Sequence, residues 1–154
     1  MASLSGRLNL PLLAIGVAAH GGAGPVDGRT RLTKLVFVVQ NEAATSVLQI
    51  VSPDRPYSYE AYHYGPFSRE LLTDLDSLQT MGLLRVQSQP LDSEGRAKLF
   101  QYSLTDEGQE TFKNLLSHSQ AAQSARSVLQ KYVGMSRRDL VDYVYSHYPD
   151  SVKA

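Results

Sequence analysis

Apolar side chains recur along the first third of the chain at spacings typical of helices. One stretch carries them at offsets of 0, 3, 4, 7 and 11, which form one side of an α-helix: Leu32, Leu35, Val36, Val39 and Ala43. Phe37 and Val38 lie off this stripe, so the helix should be buried on more than one side. The run from Leu8 to Ala19 is mostly apolar and predicts an earlier helix from about Leu10.

The rest of the chain is predicted to form a β-hairpin between further helices. Ser68, Thr105 and Ser136 stand where they can cap a helix, each before an apolar periodic run. The expected helices are residues 69–80, 106–116, 120–133 and 137–147, and the expected strands are residues 83–87 and 99–104. The tyrosine-rich stretch from Tyr57 to Tyr64 is predicted to be extended.

This order of elements is that of a winged helix-turn-helix core. The expected fold class is therefore mainly α with a small β-hairpin, in a single domain over residues 1–154. Residues 1–27 should form an N-terminal helix and a glycine-rich linker, residues 28–118 the winged-helix core, and residues 119–154 the C-terminal helices. The helix that follows Ser68 takes the place of a recognition helix, and residues 89–98 take the place of the wing.

Composition excludes several classes of protein. The chain has 154 residues, the size of one domain, and its 15 basic and 15 acidic side chains give a net charge of +0. This balance gives no overall attraction to nucleic acid or to anionic lipid. Cysteine is absent, which excludes disulfides, cysteine nucleophiles and thiolate zinc sites and fits a cytoplasmic protein. The most apolar run is far shorter than the roughly 20 residues that a membrane helix needs, so no membrane association is expected.

Four segments resemble the bacterial and archaeal YwgA-like proteins: residues 28–37, 62–68, 102–108 and 143–149. The resemblance covers most of residues 8–149. The paired segments Lys34-Leu35 and Gly65-Pro66 are also similar to the Panacea domain of antitoxins. Both resemblances imply a winged-helix-type regulator, a defence-associated protein or an antitoxin, without known catalysis.

No motif in the chain predicts an enzyme. The four histidines are separated by 43, 55 and 29 residues, which is not a metal-ligand spacing. The sequence has no nucleophile elbow, no phosphate-binding loop and no dinucleotide fingerprint. Carboxylate pairs such as Asp74 with Asp76 are expected on solvated helix surfaces. We therefore predict no catalytic residues, no metal site and no cofactor.

Charge is distributed unevenly along the chain. Residues 1–64 carry a net +1, residues 65–112 a net −4 and residues 113–154 a net +3. The predicted recognition helix is therefore acidic, which opposes contact with phosphates and favours a protein partner. Its Arg69, Asp74 and Asp76 are candidate partner contacts. Tyr57, Tyr59 and Tyr62 are further candidates, either as a patch for a protein or as a stacking platform for bases.

Basic residues gather at the start of the second helix. Arg29, Arg31 and Lys34 lie there, where the helix dipole disfavours cations, so they are candidates for binding a phosphate or an acidic side chain. Pairing of the three with Asp74 and Asp76 inside the domain is the open alternative. Arg96 and Lys98 on the predicted wing could add phosphate contacts.

Two functions follow from these observations. The first is a non-enzymatic regulatory or defence-associated module that acts through protein–protein contact, as an adaptor or an antitoxin-like partner. The alternative is a transcription regulator that binds duplex DNA through the basic start of the second helix and the wing. A homodimer is expected in either case, because the two apolar N-terminal helices could pair between subunits.

Overall fold

The computed structural model describes residues 4, 6–62, 65–94 and 98–152, and this part of the chain is mainly helical with a small antiparallel sheet. Its α-helices are α1 (Asn9–His20), α2 (Arg29–Glu42), α3 (Ala44–Val51), α4 (Arg69–Thr80), α5 (Asp106–His118), α6 (Gln120–Leu129) and α7 (Arg137–His147). Its strands are β1 (Val26–Asp27), β2 (Glu60–Tyr62), β3 (Gly65–Phe67), β4 (Leu84–Pro90) and β5 (Lys98–Leu104). Short 3-10 turns cover Gly6–Leu8 and Pro149–Ser151.

Helix α1 forms the centre of the molecule. Every residue from Asn9 to Ala18 is buried, and the helix packs against α2, α3, α5, α6 and β5. Helix α2 is buried without interruption from Leu32 to Val39, which confirms burial on more than one side. Both apolar helices therefore belong to the core of one chain, and the described residues leave no apolar face of either helix to pair between subunits. The homodimer stays a prediction with no surface assigned to it.

The larger sheet has the strand order β1-β5-β4, with both pairings antiparallel. Val26 lies opposite Tyr102 on one side of β5, and Leu84 lies opposite Leu104 on the other. The predicted hairpin is thus present. The linker predicted up to residue 27 is wrong in its last two residues, because Val26 is buried and pairs with β5. A separate two-stranded sheet joins β2 to β3.

Capping side chains begin three of the helices where the sequence predicts. The hydroxyl oxygens of Ser68, Thr105 and Ser136 each accept a hydrogen bond from the backbone N–H three residues later, at 3.3, 3.0 and 3.1 Å. Such bonds satisfy amides that have no partner within the helix. Helix α3 is an addition that the sequence analysis does not anticipate.

Hydrogen bonds at both ends of α2 connect this helix to the C-terminal part of the chain. The Arg31 guanidinium donates to the carbonyl oxygens of Val133 and Met135 at 2.8 and 3.1 Å. At the other end, the Glu42 carboxylate accepts hydrogen bonds from three tyrosine hydroxyls: Tyr132, Tyr143 and Tyr148. These contacts bring α6, α7 and the turn after α7 against α2.

Candidate functional site

The three basic residues at the start of α2 do not form a cluster. Arg29 is exposed, and its guanidinium carbon lies 4.0 Å from the centroid of the Phe100 ring. Arg31 is occupied by the carbonyl oxygens described above, and Lys34 is 1% exposed. Helix geometry explains the separation, because successive side chains rotate by about 100°, which turns Arg29 about 200° from Arg31 and about 140° from Lys34. The expected joint anion site is therefore wrong, as is the pairing of all three with Asp74 and Asp76.

Lys34 packs against the β2–β3 hairpin. Its Nζ atom lies 3.0 Å from the point that a Cβ at Gly65 would occupy. Gly65 also has a φ of +104°, a conformation that favours glycine. The structure thus brings together the Lys34-Leu35 and Gly65-Pro66 segments that stand far apart in the sequence.

Burial of Lys34 predicts a rise in stability at alkaline pH. Loss of solvation and, secondly, the positive charge of Arg137 lower the pKa of Lys34 to about 8. Between that value and the ordinary pKa of 10.5, the unfolded chain binds more protons than the native chain. The contribution of Lys34 to the free energy of unfolding should therefore rise by about 3 kcal/mol over this window. Buried tyrosines of raised pKa, such as Tyr57, act in the opposite direction near pH 10. Urea unfolding of the protein and of Lys34→Met at several pH values isolates the Lys34 contribution as the difference between the two.

The two wing candidates have different outcomes. Arg96 lies outside the described residues. Lys98 is exposed at the start of β5, opposite Pro90 at the end of β4. Lys98 is therefore accessible at the tip of the described part of the hairpin, two residues from Phe100, whose carbonyl oxygen accepts a hydrogen bond from the Gly28 amide just before α2.

Arg7 pairs with two carboxylates on one side of α4. Its Nε and Nη2 atoms donate to the two carboxylate oxygens of Asp74 at 2.8 and 3.3 Å, and Nη1 donates to Glu70 at 3.0 Å. The Tyr57 hydroxyl lies 2.7 Å from the same Asp74 carboxylate, and the Arg7 guanidinium lies over the Tyr57 ring. Asp74 is 7% exposed. It is therefore an internal anchor and not a partner contact, because Arg7 and Tyr57 occupy its carboxylate.

The outward surface of α4 is consequently less acidic than the sequence predicts. Arg7 offsets one of the two negative charges of Glu70 and Asp74, and the Glu70 side chain remains 43% exposed. Arg69 and Asp76 are the other charged residues that the helix exposes. The remaining exposed side chains of the helix are polar and neutral: Thr73, Gln79 and Thr80. Arg69 and Asp76 are thus accessible, and with Arg7 included the charges on this helix sum to −1.

The three candidate tyrosines do not form one platform. Tyr57 is 3% exposed and belongs to the Arg7 network. Tyr59 packs edge-on against Phe37, and its hydroxyl is buried with no hydrogen-bond partner among the described residues. Burial and, secondly, the Glu70 carboxylate raise the pKa of Tyr59. Tyr62 alone of the three is strongly exposed, at 50%, and its ring lies 5.7 Å from that of Phe67.

A groove runs between the start of α2, the β2–β3 hairpin, α4 and the sheet. It consists of two adjoining cavities of about 210 and 250 Å³, and both are lined by Arg29 and Leu72. The other side chains of the first cavity are Thr30, Thr33, Tyr62, Pro66 and Phe67. Those of the second are Leu75, Asp76, Gln79, Val86, Phe100 and Tyr102. We call this feature the Arg29 groove.

The Arg29 groove contains both residues that the sequence analysis named as candidates and residues that the sequence analysis did not name. Arg29, Tyr62 and Asp76 were expected at functional sites for different reasons, and they line one surface. Phe67 and Phe100 were not singled out. Phe100 is only half-buried. The signal in the sequence was its place in a predicted strand, two residues from Tyr102 and therefore on the same face.

Membrane spans and metal clusters are both missing from the part of the chain that the structure describes. No helix in the described ranges has the length and apolar character needed to cross a membrane. Within the same ranges, no three His, Asp or Glu side chains come together as metal ligands. No protein-family model matches the chain, and no curated protein matches it. The resemblance to the YwgA-like proteins therefore stays a prediction.

Proposed function

We propose that the chain is a winged-helix regulatory protein without catalytic activity, which acts by binding a segment of a partner protein in the Arg29 groove. The winged-helix assignment is supported by the succession α1-β1-α2-α4-β4-β5 and by the strand order β1-β5-β4. In this arrangement α4 takes the place of the recognition helix and the β4–β5 hairpin that of the wing. Helix α3 and the β2–β3 hairpin are insertions before α4.

The groove itself carries the proposal of a protein partner. Its walls are mainly apolar and aromatic, and its charged side chains are one cation, Arg29, and one carboxylate, Asp76. Interfaces concentrate their binding energy in such aromatic and arginine side chains. The two adjoining cavities fit a segment with two apolar anchors, one in each cavity. Arg29 borders both, so an acidic residue between the anchors would complement it.

The sequence resemblance to two protein families supports a regulatory role. The resemblance to the YwgA-like proteins and to the Panacea domain implies a regulator, a defence-associated protein or an antitoxin. An adaptor or an antitoxin-like partner would use a groove of this kind. The described side chains that line the groove include one carboxylate and no histidine, which favours binding over acid–base chemistry.

Photo-crosslinking from inside the groove tests the proposal. A photoreactive phenylalanine analogue at Tyr62, which is 50% exposed, should yield one discrete crosslinked protein in the native host. Removing the guanidinium with Arg29→Ala should lower the yield roughly tenfold, the effect expected when one charge-assisted hydrogen bond is removed.

The matched control places the same analogue at Leu48 on α3, which is 57% exposed and lies outside the groove. This position should give no discrete product. Equal products from the two positions, or a yield that Arg29→Ala leaves unchanged, would refute the proposed binding site.

Binding of duplex DNA is the second candidate function. It is favoured by the outward surface of α4, which is less acidic than the sequence alone suggests because Arg7 offsets one of the two carboxylates beside it. Arg69, Thr73 and Thr80 on that surface could reach base edges or phosphates, with Arg85 and Lys98 contacting the backbone from the hairpin. The start of α2 is no longer the expected contact, because Arg31 and Lys34 are turned inward.

Salt titration of the affinity for duplex DNA tests this alternative. Replacing Arg69 or Lys98 with alanine should reduce the log–log slope by about 0.9 for each phosphate that the removed side chain neutralises. Lys113→Ala is the control, since Lys113 is exposed on α5 beside Glu110. A slope near zero, or one that falls equally in the control, would exclude DNA binding through α4 and the hairpin.

A further inference from the structure

A separate cavity lies between α2, β2 and the turn that follows α7. Its volume is about 350 Å³, towards the small end of ligand-binding cavities. None of its described lining residues lines the Arg29 groove. The regulatory function proposed above makes no use of it.

Three aromatic rings form the apolar wall of this cavity. The Phe37 ring centroid lies 5.0 Å from that of Tyr59 and 5.2 Å from that of Tyr148. Its plane is inclined at 82° to the first ring and 84° to the second, so the rings meet almost at right angles. Such an arrangement presents ring surfaces from more than one direction to a guest in the cavity.

The hydroxyl groups of the two tyrosines point away from this space. The Tyr148 hydroxyl donates to Glu42 at 3.0 Å, and the Tyr59 hydroxyl is inaccessible to solvent. The parts of Tyr59 and Tyr148 that border the cavity are therefore their rings. An aromatic face carries partial negative charge and attracts cations.

Two carboxylates complete the lining. Glu60 on β2 and Asp150 in the turn after α7 both border the cavity and are exposed. No Lys or Arg is among the described lining residues, and His147 is oriented by a hydrogen bond between its Nδ1 and the Tyr143 carbonyl at 3.0 Å. The aromatic faces and the carboxylates thus both favour a positively charged ligand.

We propose that this cavity binds an alkylammonium cation, held over the rings of Phe37, Tyr59 and Tyr148 and neutralised by Glu60 and Asp150. Quaternary ammonium groups are recognised in this way by aromatic side chains, because the cation is attracted to the ring faces and needs few hydrogen bonds. The cation can be carried by a free small molecule or by a lysine side chain, methylated or not. Both sources present the same group to the cavity.

NMR titration with choline and with its uncharged analogue 3,3-dimethyl-1-butanol separates charge from shape. Choline should bind roughly tenfold more tightly, with shifts centred on residues of the cavity. Titrations with Nε-trimethyl-lysine and with lysine identify which molecule carries the cation. If either amino acid binds more tightly than choline, the natural ligand is a lysine side chain. If both bind more weakly than choline, it is a free ammonium compound. Equal binding of choline and the alcohol, or no saturation by either, would overturn the proposal.

Variants test the two parts of the lining separately. Glu60→Gln with Asp150→Asn should weaken choline binding about fivefold or more without loss of the fold, since both side chains are exposed. Tyr148→Phe keeps the ring and should keep the binding, whereas Tyr148→Leu should abolish it. Asp76→Asn with Glu110→Gln is the control, because these carboxylates lie outside the cavity. Choline affinity that is the same in the Glu60, Asp150 double variant and in its control would refute the site.

Discussion

Asp74→Ala is expected to lower the free energy of unfolding by about 3 kcal/mol, since removing one partner of a buried ion pair leaves the other charge unpaired. Asp74 accepts two hydrogen bonds from Arg7 and lies 2.7 Å from the Tyr57 hydroxyl. Its loss would leave both groups without their main acceptor. The network also joins three segments that are distant in sequence, namely the turn before α1, the stretch before β2 and α4. Urea denaturation measures the loss.

Asp76→Ala is the matched control, on the same helix and two residues away. Asp76 is exposed, so its replacement should change the free energy of unfolding by no more than about 0.5 kcal/mol. If the two variants were equally stable, the Arg7 network would contribute nothing to the fold. The difference in free energy of unfolding between Asp74→Ala and Asp76→Ala thus measures the effect of losing the buried carboxylate.

Gly108→Ala should destabilise the protein by about 2 kcal/mol despite the better helix propensity of alanine. A Cβ at Gly108 would overlap the carbonyl oxygen of Leu83, which is rigid backbone at the start of the β4–β5 hairpin. That oxygen also accepts a hydrogen bond from the Thr105 amide at 3.2 Å. Relief of the clash would move α5 away from the hairpin and weaken this bond.

Gly134→Ala provides the comparison, because no described atom lies within 4 Å of a Cβ built at that position. Thermal unfolding of both variants should show a clear drop in midpoint for Gly108→Ala alone. A similar midpoint in the two would show that α5 adapts to the added methyl group. The close approach at Gly108 also gives a physical reason for the glycine in the segment from Tyr102 to Gly108.

Local signals in the sequence predicted much of the fold. The capping residues before α4, α5 and α7 and the apolar stripe of α2 act over a few neighbouring positions, so the sequence displays them directly. Strand β1 was not predicted because it has only two residues and pairs with β5, which is distant in the sequence. Helix α3 was not predicted because it has only eight residues and follows α2 after a single residue, so the sequence shows no separate start for it.

The candidate site was harder to predict because it depends on direction and on distant contacts. Arg29, Arg31 and Lys34 are neighbours in sequence, but the helix turns them to different sides. The partner of Asp74 is Arg7, which is 67 residues away, and no local pattern connects the two. Long-range pairs of this kind decide which carboxylates of α4 remain on the surface.

The enclosure of α1 has a consequence for biosynthesis. This helix precedes most of its packing partners in the chain, and those partners include α5 and α6, which end at His118 and Leu129. At about 5–20 residues per second, translation needs on the order of ten seconds to supply them. During that time the almost wholly apolar α1 cannot be fully buried, because some of its packing partners have not yet been synthesised. Nascent chains of this protein should therefore be clients of ribosome-associated chaperones until α6 has emerged.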